Sequence, residues 1–176
     1  VYYHEPRDEP GARRLQRTVG AMLDALGLTV VNEFTSEQYL KVNLHRSISG
    51  ATLNLARIPA VTVELGGQRT INPSGVAAAV AGICNVLRWA GMLPGEPQPI
   101  SDVPVFRTGY PVRRMQHPRV TEVCIVHRAV QPGDRVRAGD IVGRMVDIYG
   151  RPVGADDGWL RTAHDGLVLG VYPGAA

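Results

Sequence analysis

The chain has 176 residues, 44% of them hydrophobic and 20% charged, with a formal net charge of +3. That balance suits a soluble globular protein with one fair-sized core, or a medium domain beside a small one. Its cations are interleaved with Asp and Glu and form no basic stripe with aromatics between, which argues against nucleic-acid binding, and no apolar run approaches a membrane span.

In chain order, Val1-Tyr2-Tyr3 reads like the middle of a strand, which gives the chain the look of a fragment. His4-Glu5 opens no zinc-protease HExxH motif, because Asp8 holds the second histidine's place and Pro6 would disrupt the helix. From Gly11 to Leu26 the residues Leu15, Val19, Met22, Leu23 and Leu26 recur at helical spacing, and Gly27 stops the element. Arg13, Arg14 and Arg17 read as its solvated face. Leu28–Val31 reads as a short strand. The link from Asn32 to Arg46 is ambiguous, with a helical turn around Glu37–Val42.

Gly50–Arg57 reads as a short helix feeding into Ile58-Pro-Ala-Val-Thr-Val-Glu-Leu-Gly-Gly67, the most informative stretch of the chain. Its apolar, β-branched run, opened by Pro59 and closed by two glycines, predicts a buried strand. Glu64 stands near the end of that run. An ionised carboxylate is costly to bury unpaired, so Glu64 is expected to emerge at the strand's carboxyl end, facing a crevice. The residues alone leave two roles open, a functional carboxylate or a glutamate that caps a turn. Asn72-Pro73-Ser74 offers an N-cap, and Val76, Val80, Ile83, Cys84 and Leu87 predict one apolar face of a helix ending at Gly91. Helices alternating with strands imply parallel strands and crossover helices.

Pro94-Gly-Glu-Pro-Gln-Pro99 is the clearest boundary. Beyond it come short β-rich runs, Val123–Val126, Ile141–Ile148 and Leu167–Tyr172, punctuated by turns at Pro132-Gly-Asp134, Gly139-Asp140, Tyr149-Gly150 and Asp165-Gly166. The division expected is an α/β domain over 1–93, a Pro-rich linker over 94–104 and a small all-β module over 105–176. Cys84 and Cys124 are solitary and form no CxxC motif, so free thiols in a reducing, cytoplasmic compartment are expected.

Pro59–Gly67, with the helix before it, resembles the catalytic-glutamate segment of the succinylglutamate desuccinylase/aspartoacylase family, one of the zinc-carboxypeptidase-like enzymes. Gly133-Asp-Arg-Val136, Gly139-Asp-Ile-Val-Gly143 and Ala163-His-Asp-Gly-Leu-Val168 resemble the β module that follows the catalytic domain in many members. The resemblance implies an α/β fold with a partial parallel or mixed sheet and crossover helices, followed by a small all-β sandwich or barrel. It implies zinc-dependent hydrolysis of an amide bond. Zinc, held by a His-x-x-Glu pair and a later histidine, polarises water and carbonyl, and Glu64 moves the proton from water to the leaving amine.

None of the five histidines, His4, His45, His117, His127 and His164, has a glutamate three residues on. No metal ligand is therefore expected in this chain. The resemblance places the ligands upstream of Val1 and leaves the isolated chain inactive. It also implies a small N-acyl amino acid or short peptide-like substrate. The aspartoacylase branch carries an arginine before the catalytic glutamate; here Asn54 falls near that position and Arg57 a turn later, and both are candidate substrate-binding residues. A homo-oligomer is compatible with this reading. The alternative is a binding or docking module, or an inactive relative. Carrier modules of similar pattern need a lysine at a hairpin tip, and the last lysine here is Lys41.

Overall fold

A computed structural model describes residues 10–32, 34–66, 71–101, 103–107, 112, 118–120 and 122–170. The strand expected at Val1–Tyr3 lies outside them, as do His4, Gly67, His117 and the end of the run Leu167–Tyr172. The chain divides into two compact units, Val1–Arg114 and Met115–Ala176.

The named elements of the first unit, where described, are helices. Helix α1, Pro10–Leu26, buries Leu15, Val19, Leu23 and Leu26 on the stripe that the spacing predicts, and Val19 has no exposed surface. Arg13, Arg14 and Arg17 lie on its exposed side. Gly27 takes φ +77 and donates its amide to the Leu23 carbonyl, 3.2 Å away, which closes the helix with a left-handed cap. The ambiguous link contains α2, Ser36–Lys41, entered through a capping box: the Thr35 hydroxyl accepts from the Gln38 amide and the Gln38 side chain accepts from the Thr35 amide. After a 3₁₀ turn at Leu44–Arg46, Ser47 caps α3, Ile48–Asn54, by accepting from the Gly50 amide at 3.1 Å.

Helix α3 thus starts before Gly50 and ends before Arg57. Its start is set by the Ser47 cap, and by its end Arg57 is in the left-handed region at φ +59. A side chain at Gly50 would collide with the Leu44 carbonyl and stand 2.6 Å from the Tyr39 hydroxyl, so only glycine lets these turns pack.

The segment 58–66 forms no strand among the described residues. Its side chains nevertheless alternate: Val61 and Val63 are half-buried, while Thr62 and Glu64 are exposed. Ala60, Val61 and Val63 pack against the cluster of Leu15, Val19, Leu23, Leu26 and Leu53. From Val61 to Glu64 the segment has the two-residue alternation of a strand without a ladder, since a strand needs a neighbour to bond its amides and carbonyls. Likewise Leu28–Val31 forms no multi-residue ladder among the described residues. It makes an isolated parallel bridge, Val31 to Val112, in which Val112 donates to the Val30 carbonyl at 2.9 Å and Asn32 to the Val112 carbonyl at 2.8 Å.

Helix α4, Pro73–Trp89, begins where expected, with Asn72 accepting from the Gly75 amide at 3.2 Å and Pro73 in the first turn. Its packed face corrects the sequence reading. Ala78, Ala79, Gly82 and Asn85 are buried, whereas Val76, Val80 and Ile83 are exposed. Small residues win the interface because α1 comes too close for large ones; a Cβ on Gly82 would stand 2.9 Å from the Leu26 carbonyl oxygen.

Asn85 is 1% exposed and ties the Pro-rich segment to α4. Its amide donates to the Gln98 carbonyl at 2.7 Å and its carbonyl accepts the Gln98 amide at 2.8 Å. The Phe106 amide donates to the Thr29 hydroxyl at 2.9 Å. The division between Arg114 and Met115 accordingly falls later in the chain than the Pro-rich stretch 94–104.

The second unit has two small antiparallel sheets. Strands β1 (Ile125–Arg128), β3 (Ile141–Val146) and β4 (Trp159–Arg161) form one in the order β1-β3-β4, and β2 (Arg135–Val136) pairs with β5 (Gly166–Leu167). Among the described residues, Cys124, Met145 and Val146 are its buried hydrophobic side chains. Strand β1 begins two residues after Val123, which is 97% exposed. Two turns repeat one device: Asp134 accepts from the Gln131 amide and Asp140 from the Arg137 amide, both at 2.7 Å, so each Gly-Asp pair closes its own turn.

Two expectations follow. Asn85→Ala removes both bonds to the Gln98 backbone and should lower unfolding free energy by about 1–3 kcal/mol, read from the urea midpoint. In the turn after β3, the Arg151 amide donates to Asp147 and, with the Arg151 guanidinium and the Tyr149 amide, holds the Asp147 carboxyl below the ordinary aspartate range. A folded-state pKa below the unfolded one contributes stability above the ordinary aspartate value, lost as pH falls through the lowered pKa. Titration of the carboxyl carbon by NMR should give a midpoint below that of aspartate in an unstructured peptide.

Candidate functional site

The site is built from two adjacent pieces of the first unit, α3 and the segment 58–66. Val61 and Val63 face the helical core, which leaves Thr62 and Glu64 on the opposite, exposed side. Thr62 donates its hydroxyl hydrogen to the Ser49 hydroxyl of α3 at 2.9 Å, a bond between residues thirteen apart in sequence. Glu64 thus stands in solvent on a segment whose other side is fixed by apolar contact.

The two candidate substrate residues are placed differently. Asn54, the last residue of α3, is 4% exposed, and its amide donates to the Gly50 carbonyl at 3.0 Å, one turn back. Its side chain serves the helix interior. Arg57 is half-buried at a left-handed backbone position, which costs a residue other than glycine roughly 1–2 kcal/mol. The Ile58 amide donates to the Thr52 carbonyl at 3.0 Å and so steers the chain out of α3 towards Glu64.

His45 is half-buried, with Nδ1 lacking a hydrogen-bond partner among the described residues, while His127 and His164 are exposed. No three His, Cys, Asp or Glu side chains come together as a metal-holding group among the described residues. The described residues therefore do not fit zinc. In the second unit an open depression of about 490 Å³ is lined by Asp134, Arg135, Asp140 and Arg161 among others. Its carboxylates close turns, and Arg161 pairs with Asp156 at 2.8 Å. Sequence reasoning missed Ser49 and Thr62, whose contact spans two elements and leaves no local signature.

No protein-family model matches the sequence, and no curated protein matches it. Its fold, however, is that of the succinylglutamate desuccinylase/aspartoacylase proteins. The solved structure of such a protein from Rhodobacter sphaeroides is similar with a TM-score of 0.62 and 21% identity, over 100% of this chain and 49% of that one. The product-bound ectoine utilization protein EutE (DoeB) from Ruegeria pomeroyi is similar with a TM-score of 0.62 and 22% identity, over 93% and 45% of the two chains. A succinylglutamate desuccinylase from Silicibacter sp. TM1040 gives 0.56 and 21%, over 88% and 44%. The chain spans about half the length of these relatives. Among the described residues, no helix is long and apolar enough to cross a membrane.

The burial of Asn54 is directly testable. Asn54→Ala should lower unfolding free energy by about 1–3 kcal/mol by leaving the Gly50 carbonyl without its partner. A solvent-facing ligand residue would instead change stability by about 0.5 kcal/mol or less on truncation, and urea denaturation separates the two.

Proposed function

We propose that this chain supplies the glutamate-bearing part of an amide-bond hydrolase that acts on small N-acyl amino acids or short peptide-like molecules. The observation that carries the reading is Glu64: an exposed carboxylate on a segment clamped to the helical core, in a chain with the desuccinylase/aspartoacylase fold. In this reading segment 58–66 is a strand of a parallel or mixed sheet in the complete domain, and the second unit is its small β module. Glu64 accepts a proton from the attacking water. The water oxygen bonds to the amide carbon, and Glu64 returns the proton to the leaving nitrogen as the C–N bond breaks. Arg57 is the segment's candidate cation for a substrate carboxylate, and Asn54 contributes by holding the end of α3.

Zinc belongs to the proposal as the metal this fold class implies, where it would polarise the water and the carbonyl. Its ligands are to be sought outside the described residues. The free cysteines, Cys84 half-buried and Cys124 buried, support a reducing, cytoplasmic setting.

The test is Glu64→Gln in a complete, zinc-loaded protein, assayed on a panel of N-acyl amino acids. Glutamine keeps the shape but cannot take the proton, so turnover should fall by about two to four orders of magnitude. Zinc content and melting temperature, taken on the same sample, should stay unchanged. Near-normal turnover in a folded, metal-loaded variant would refute the assignment.

A further inference from the structure

The hydroxyl pair between α3 and the Glu64 segment is absorbed by neither the fold nor the chemistry above. Val61 and Val63 hold the segment to the core, but apolar contact is non-directional and tolerates slippage. Slippage matters here because side chains alternate: a shift of one residue along the core would turn Glu64 inward and Val63 outward. A hydrogen bond has a fixed partner and a preferred direction, so it sets what the valines leave loose. Thr62 is two residues from Glu64 and on the same side, and its bond to Ser49 spans 2.9 Å to the first turn of α3. Ser49 is itself held in place, since the Ser47 cap and the bond from the Thr52 hydroxyl to the Ile48 carbonyl, 2.7 Å, order that turn.

We propose that Thr62 is a positioning residue for Glu64, with Ser49 as its anchor: the hydroxyl pair pins the register of segment 58–66 over α3 and so keeps the carboxylate outward. Its functional meaning rests on Glu64 being the proton-transfer group; its physical content does not. The substrate end of the site is thereby tied to α3, whose own end is held by Asn54.

NMR order parameters of the 176-residue chain test this, with Thr62→Val as the near-isosteric variant and α1 amides such as Val19 and Leu23 as internal controls. In the parent chain the amides of residues 62–65 should lie near the rigid value of about 0.85, and in Thr62→Val they should fall towards the flexible range below about 0.6. The α1 amides should not change. Ser49→Ala should reproduce the loss, the double variant should add nothing to it, and Thr62→Ser should restore the parent values. Unchanged order parameters in a folded Thr62→Val, or failure of Thr62→Ser to restore them, would overturn the proposal. Should Thr62→Val fail to fold, Ser49→Ala decides in the same terms. In the complete enzyme, Thr62→Val should lower kcat while leaving KM in place. Loss of order without loss of turnover would keep the pin and sink its catalytic meaning, whereas near-normal turnover of Glu64→Gln sinks the role of Glu64, so the two failures are distinguishable.

Discussion

The first unit depends on one close approach, that of the backbone of α1 to α4 at Gly82. A Cβ there would stand 2.9 Å from the Leu26 carbonyl oxygen and 3.1 Å from its Cδ1. Because the helices meet so closely, the contact face of α4 carries Ala78, Ala79 and Gly82, and Val76, Val80 and Ile83 turn outward while Val86 still packs against the core. The contact also fixes the end of α1. Leu26 is buried in the cluster that receives Leu53 from α3 and Val63 from the Glu64 segment. The position of the candidate site is therefore inherited from a helix crossing that contains none of its residues.

This explains which parts of the fold were legible. The period of α1 named its buried stripe because large side chains fill it, and the volume of Leu and Val is what periodicity detects. In α4 the same reasoning found the apolar side chains but chose the wrong face. Alanine and glycine carry little hydrophobic signal, yet they decide how near a neighbour can come. The Asn72 cap was readable, whereas the Thr35…Gln38 capping box went unread and left the link from Asn32 to Arg46 ambiguous, although its two partners stand only three residues apart. The Gly-Asp turns of the second unit were legible, since each is closed by atoms within four residues.

Strand pairing was less accessible. The run around Glu64 has the composition of a strand, and from Val61 to Glu64 its burial alternates as a strand's does. What the sequence of one segment cannot contain is its neighbour, and the ladder is a property of two segments. Asn54 shows the same limit at a single side chain. Its position in the chain suggested a ligand, but whether an amide faces solvent or its own helix depends on how far α3 extends before the chain leaves it. The Ser47 cap moves that helix forward, so Asn54 lies in its last turn and its amide bonds the Gly50 carbonyl.

The exposure of the Glu64 carboxylate was legible, for a thermodynamic reason. A glutamate inside an apolar run either has a buried partner or has to reach water, and only alternation lets it do the second without breaking the run. Val61 and Val63 satisfy the core while Thr62 and Glu64 do not enter it. The same division of faces gives the segment its chemical capacity. One side is held by contacts that carry no charge, and the other presents a proton acceptor on a backbone that those contacts restrain. An acid–base group needs both properties, because a proton moves only between atoms brought within about 2.6–3.2 Å of each other. A capping glutamate at a turn would need only the second face. The clamp of Val61 and Val63 beneath Glu64, joined to α3 through Thr62, is the feature that favours the functional reading over the structural one.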